Sequence, residues 1–302
     1  MLNLVGCCVA LTTILSGGLS AQVDPILLDG VENLAFDRPE SWAMKYFTSV
    51  SLFSGLGTPR STQAGSVELA FEGGTVPNLG AEKRRVGFVG SKVEDLNRTN
   101  LFGRFRATFG LPRDFSFIVG VTPPLEVDGV TPKLLNLALA RPLLDTDGWR
   151  LGARLHGQLG SIEGDLTCPE DVAGSVDPQV NPQGCLEASN DESTQNYIGL
   201  EISATPKIWG ERWEPHVAVS ANYMDLEFQV RATYSVFDDQ ERLLADGVTY
   251  ALTVGLSYQL REKIEVRSAI FYTPLDVVRD PLRGSQNDEL INARVILAYS
   301  VK

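Results

Sequence analysis

Strict alternation of large apolar residues with small or polar ones constrains this chain more than any other feature. From Val248 to Leu260 every second residue is large and apolar: Val248, Tyr250, Leu252, Val254, Leu256, Tyr258, Leu260. Between them sit Thr249, Ala251, Thr253, Gly255, Ser257 and Gln259. A period of two puts one set on each face of a β-strand. The pattern returns around Trp149–Leu159, Tyr197–Ala204, Ile264–Tyr272 and Ile291–Val301. No helical stripe of comparable length interrupts it. The alternating runs reach ~10–14 residues, beyond the ~5–6 of globular strands and long enough to cross a bilayer at a tilt.

The pattern predicts about twelve strands, near 43–54, 66–75, 84–91, 99–110, 114–122, 132–141, 148–160, 195–205, 214–235, 247–260, 262–273 and 288–301. In the ninth the apolar residues shift phase between Tyr223 and Met224, which reads as a β-bulge. Short turns and long loops follow one another in strict succession, and the longest loop covers about 161–194. An even strand count returns both chain ends to the short-turn rim. Trp42, Trp149, Trp209 and Trp213 all map to that rim, with Tyr258 and Tyr299. An aromatic belt at one level is expected where a barrel meets a membrane–water interface.

Alternation alone does not say whether the apolar face meets a protein core or hydrocarbon. Three features favour hydrocarbon. Residues 1–21, MLNLVGCCVALTTILSGGLSA, read as a secretory signal peptide, although no basic residue precedes Arg38. The strands are long. The polar faces are rich in Gly, Ser, Thr and Ala, which suits a confined interior. The expected architecture is an all-β, antiparallel transmembrane β-barrel of about 12 strands. It occupies residues 42–302, behind a segment at 22–41 that is either a periplasmic leader or a short plug. The net charge of -12 argues against a nucleic-acid partner.

With these features the chain resembles the bacterial outer-membrane β-barrel proteins. More loosely it is similar to the channels for hydrophobic compounds and the phenol-degradation outer-membrane family. The resemblance implies residence in the outer membrane, contact with lipid and delivery by the outer-membrane assembly machinery. Such chains usually end in an aromatic residue, whereas this one ends AYSVK.

The charged residues that fall on the polar faces are candidates to line the lumen: Glu68, Glu72, Arg85, Arg104, Arg106, Arg150, Arg154, His156, Glu201, Glu265, Arg267 and Arg294. They fit two arrangements equally, an ion-pair network that fills the interior or a polar path that favours anions. Cys168 and Cys185 share one acidic loop and are disulfide candidates in an exported chain. Cys7 and Cys8 leave with the signal.

His156 and His216 are the only histidines. A twelve-stranded outer-membrane phospholipase family pairs a histidine with a nearby serine, but neither histidine here has that spacing. No Gly-x-Ser-x-Gly elbow occurs. No enzyme activity, cofactor or metal site is expected. The preferred function is passive passage of a small hydrophobic or anionic solute. The alternatives are a non-conducting structural or adhesion barrel acting through its loops and, behind it, a barrel enzyme acting on lipid.

Overall fold

The computed structural model describes residues 26–209, 212–280 and 282–301. The expected signal peptide lies outside the described residues. Ten antiparallel strands form the barrel: β1 (Val67–Thr75), β2 (Leu101–Gly110), β3 (Ser116–Thr122), β4 (Val130–Asp145), β5 (Trp149–Gly164), β6 (Asp191–Pro206), β7 (Trp213–Gln229), β8 (Arg242–Arg261), β9 (Ile264–Val277) and β10 (Gln286–Ser300). Each pairs with its neighbours in sequence, and β10 pairs with β1 to close the ring. One short strand, Val31–Asn33, lies parallel to the top of β8 outside the ring.

Twelve strands were expected, and two of the twelve are something else. The stretch near 43–54 is mostly an α-helix, α1 (Pro39–Val50). The stretch near 84–91 is a small hairpin in the loop between β1 and β2. Removing two leaves an even number, so both ends of the ring stay on the short-turn rim.

The alternation resolves as lipid-facing outside and polar inside. Leu137, Leu155, Leu200, Val219, Leu252, Val254, Ile270, Val295 and Leu297 all project outward and are exposed. A closed ring with an apolar exterior leaves no unpaired edge for hydrocarbon to meet, so the chain is a membrane-spanning barrel of the outer-membrane type.

The phase shift in β7 is not a bulge. Tyr223 and Met224 pair in unbroken register with Ile198 and Tyr197 on one side, and with Val248 and Gly247 on the other. What changes is the environment. Below Tyr223 the outward residues are apolar: Val217, Val219, Ala221. Above it they are Asp225 and Glu227, while Met224 and Leu226 turn inward and are buried against Met44, Leu34 and Ala245. The lower part of this strand is therefore inside out, whereas its upper part turns apolar side chains inward onto α1 and the segment before it. From Trp213 to Tyr223 the lipid-facing stretch matches the ~9–11 residues a tilted strand needs to cross.

Candidate functional site

The interior is occupied by the chain's own N-terminal part. Residues 26–33 pair with strands at the long-loop end. α1 then enters the mouth, and residues 51–65 run down the axis to β1 at the opposite rim. The contacts descend in order. Lys45 Nζ donates to the Asp276 carbonyl over 2.8 Å. Asn292 Nδ2 donates to the Val50 carbonyl over 3.1 Å. Thr205 meets Thr58 at 2.9 Å, and Thr62 meets Ser116 at 3.1 Å near the short-turn rim. Residues 26–41 of the segment expected as a leader or short plug lead into an axial plug that runs on through residues 42–65, a stretch expected to belong to the barrel, whose first strand begins only at Val67.

Arginines of the wall hold the plug. A helix ends with unpaired carbonyls and the negative end of its dipole. Arg294 donates to the carbonyls of Ser49, Val50 and Leu52. Arg104 adds a bond to Leu52 O, and Arg106 one to Ser54 O. Glu72, fully buried, binds the three guanidiniums together: both oxygens to Arg104 at 2.9 Å, one to Arg106 at 2.8 Å, and Arg294 at 3.6 Å. Lower down Arg154 pairs with Glu201, which also accepts from Ser54. At the short-turn mouth Arg60 of the plug joins Glu214 and Glu265, while Arg267 bridges Glu265 and Glu68. Arg150 closes this layer on Glu214 and Asp145.

Eleven of the twelve lumen candidates therefore face inward, most of them in one network. His156 Nε2 meets Asn222 Oδ1 at 2.8 Å. Arg85 is the exception: it is exposed on the hairpin of the first long loop. Trp42 also leaves its expected place. It is buried within α1 and stacked on Tyr46, not on the rim. Its period-two neighbours had disguised a helix. Trp149, Trp209, Trp213, Tyr258 and Tyr299 do lie at the short-turn rim, with the Trp213 and Tyr258 rings 4.2 Å apart. Cys168 and Cys185 are bonded to each other under the longest loop.

Two cavities are largely apolar. The first, of about 180 Å³, opens at the long-loop mouth beside α1. The second, of about 360 Å³, pierces the wall between β2 and β4. β3 is short. It reaches only Phe105 of β2 and Leu134 of β4, so Leu101–Arg104 and Val130–Lys133 have no strand between them. Pro123 and Pro124 follow β3 directly, and proline cannot donate to a ladder. Lipid-facing Phe71, Leu101 and Phe105 line this opening together with inward-facing Val50, Leu134 and Gln195. Phe47, Leu96, Leu166 and Ser193 line both cavities. These residues were not singled out in the sequence. The two prolines after Thr122 were the available signal.

Acidic side chains rim the mouth cavity. Burial pushes the Glu94 carboxyl up to about 7, against the Lys92 ammonium 3.0 Å away. Burial also raises Asp239 and Glu241. Among the described residues no group of three His, Cys, Asp or Glu side chains is disposed to hold a metal.

No family model matches the chain, and no curated protein matches it. Solved structures do. The outer membrane protease OmpT of Escherichia coli is similar at a TM-score of 0.38 and 10% identity, over 78% of this chain and 94% of that one. The toluene transporter TodX of Pseudomonas putida is similar at 0.35 and 13%, over 92% and 78%. The attachment invasion locus protein Ail of Yersinia pestis is similar at 0.29 and 10%, over 79% and 98%. All three are bacterial outer-membrane barrels. At such scores neither a site nor an activity transfers from them.

Proposed function

We propose that this protein is a channel for small apolar molecules, receiving them at the long-loop mouth and releasing them sideways through the wall between β2 and β4. The observation that carries this reading is the shared lining of the two cavities. Phe47, Leu96, Leu166 and Ser193 border both, so the cavities adjoin across these side chains, whose movement would join them into an apolar route from the mouth to the lipid face. The axis offers no such apolar route: residues 39–62 run along it, Arg104, Arg106, Arg154 and Arg294 bind the plug, and the space left beside it at the short-turn end, about 230 Å³, is lined by charged Arg60, Glu214, Glu265 and Arg267. An apolar molecule that leaves sideways enters hydrocarbon without crossing the charged layer at Arg60 and Glu265.

The test is uptake of an apolar fluorophore, N-phenyl-1-naphthylamine, by bacterial cells with an intact outer membrane that express the full chain. Expression should speed the fluorescence rise. Leu125→Asp, which places a charge at the lateral opening, and Leu134→Trp, which fills it, should both slow the rise. Equal uptake with and without the protein would sink the channel reading and favour a barrel that acts through its loops.

A further inference from the structure

We infer that the mouth cavity receives amphipathic amines, small molecules with an apolar body and one protonated nitrogen. This rests on the channel reading and narrows the molecules received at the mouth to apolar bodies that carry one basic nitrogen. The cavity floor is apolar: Ala43, Met44, Phe47, Val86, Leu96 and Val230. Its rim is strongly acidic. Glu32, Glu40, Glu94, Asp239 and Glu241 line it, against one base, Arg38. Arg38 is already committed, to Glu32 and to Glu40 at 3.1 Å. Lys92 reaches Glu94 from behind, held beneath Phe88 and Tyr234 and bonded to the Thr167 carbonyl. It does not line the cavity.

An independent feature lies within the same space. Ser193 is 1% exposed, lines both cavities, and its hydroxyl has no hydrogen-bond partner among the described residues. A buried hydroxyl without a protein partner keeps hydrogen-bonding capacity for a water or a guest in the adjoining space. A neutral hydrocarbon would leave Ser193 unpaired. A carboxylate would face the like charges of Glu94 and Asp239, the latter 3% exposed. An ammonium satisfies both features: it donates to the carboxylates and to the serine oxygen while its apolar body meets Met44 and Phe47.

The experiment is calorimetric titration of the full chain, folded in detergent micelles at pH 8, with three probes of similar size: 2-phenylethylamine, propylbenzene and phenylacetate. The amine should bind at least ~10-fold more tightly than propylbenzene, as a charge-assisted hydrogen bond requires, and phenylacetate should not bind measurably. Glu94→Gln and Ser193→Ala should each weaken the amine and leave propylbenzene unchanged. Glu241→Gln serves as a second rim variant should Glu94→Gln fold poorly. Equal affinity for amine and propylbenzene, or rim variants that leave the amine unaffected, overturns the inference. The two readings fail separately. Fluorophore uptake without amine preference sinks the amine site alone, whereas amine preference without uptake sinks the channel alone.

Discussion

The Arg294 guanidinium donates to the Val50 carbonyl over 2.9 Å, which ties the last barrel strand to the end of the lumenal helix. Arg294 lies over the Phe271 ring, 3.8 Å from its centre, and shares Glu72 with Arg104 and Arg106. The repulsion among three cations on one carboxylate is offset by the carbonyls of the helix end and of the plug just beyond it, which accept from them. Arg294→Met removes the bond to the plug and should cost about 3–5 kcal/mol, the scale for breaking a buried charged pair. Urea unfolding followed by heat-modifiable gel mobility measures that loss. In planar bilayers the parent should show no steady ion current, and Arg294→Met should open one as the plug loosens. A variant as closed and as stable as the parent would mean the plug is held elsewhere.

Gly55 marks a second point of attachment. A Cβ there would overlap the Arg154 guanidinium. That guanidinium pairs with Glu201 and donates to the Gly57 carbonyl over 3.3 Å. Gly55→Ala should therefore destabilise by about 1–3 kcal/mol through overpacking. Combining it with Arg154→Ala should cost less than the sum of the two, because the second change removes the clash. Strict additivity in a double-mutant cycle would show that the two residues do not press on each other.

The barrel was legible because its period of two is enforced by hydrocarbon on one face and a crowded lumen on the other. The plug was not, and Trp42 shows why. The lumen around α1 is polar on some sides and apolar on others, so the helix is buried nearly all round and carries no single stripe to read. The lumen charges were legible as a set, yet Glu72 and Arg294 meet through pairing between β10 and β1, the first and last strands. Such a contact leaves no local spacing in the sequence. The Tyr223–Met224 shift was visible and its cause was not, because a bulge and a change of surroundings produce the same pattern. The lateral opening depends on a strand that ends early, and strand ends are the least readable feature of a β-chain.

The change of surroundings at Tyr223 makes a paired prediction. Leu252 lies on the lipid face, paired across the wall with Val219 and Tyr272. Leu252→Arg should cost about 2–4 kcal/mol in a bilayer. Asp225 points outward on β7 but above the apolar band, so Asp225→Arg should stay within about 0.5 kcal/mol. Unfolding from vesicles measures both. Equal costs would place the membrane boundary elsewhere.

Glu94 gives the mouth a pH dependence of definite sign. Its carboxyl titrates near 7 in the fold, raised from an ordinary 4.5 mainly by burial and only partly offset by Lys92. Asp191 and Asp239 add to the rise, and the Tyr234 hydroxyl, itself raised by burial and by these carboxylates, stays neutral. A raised carboxyl means that the folded state holds its proton more tightly than the unfolded chain does. Its stabilising contribution is complete below about 4.5 and is lost as pH rises through about 7. Hydrogen exchange in the hairpin around Lys92 and Val93 should therefore quicken, beyond its intrinsic pH dependence, between pH 5 and pH 8, values chosen to bracket that range. Binding of 2-phenylethylamine should run the opposite way over the same range, because the ammonium needs the ionised carboxylate. Glu94→Gln should flatten both profiles. Two slopes of the same sign, or slopes that survive the substitution, would remove Glu94 from the mouth's titration and leave Asp239 or Glu241 to account for it.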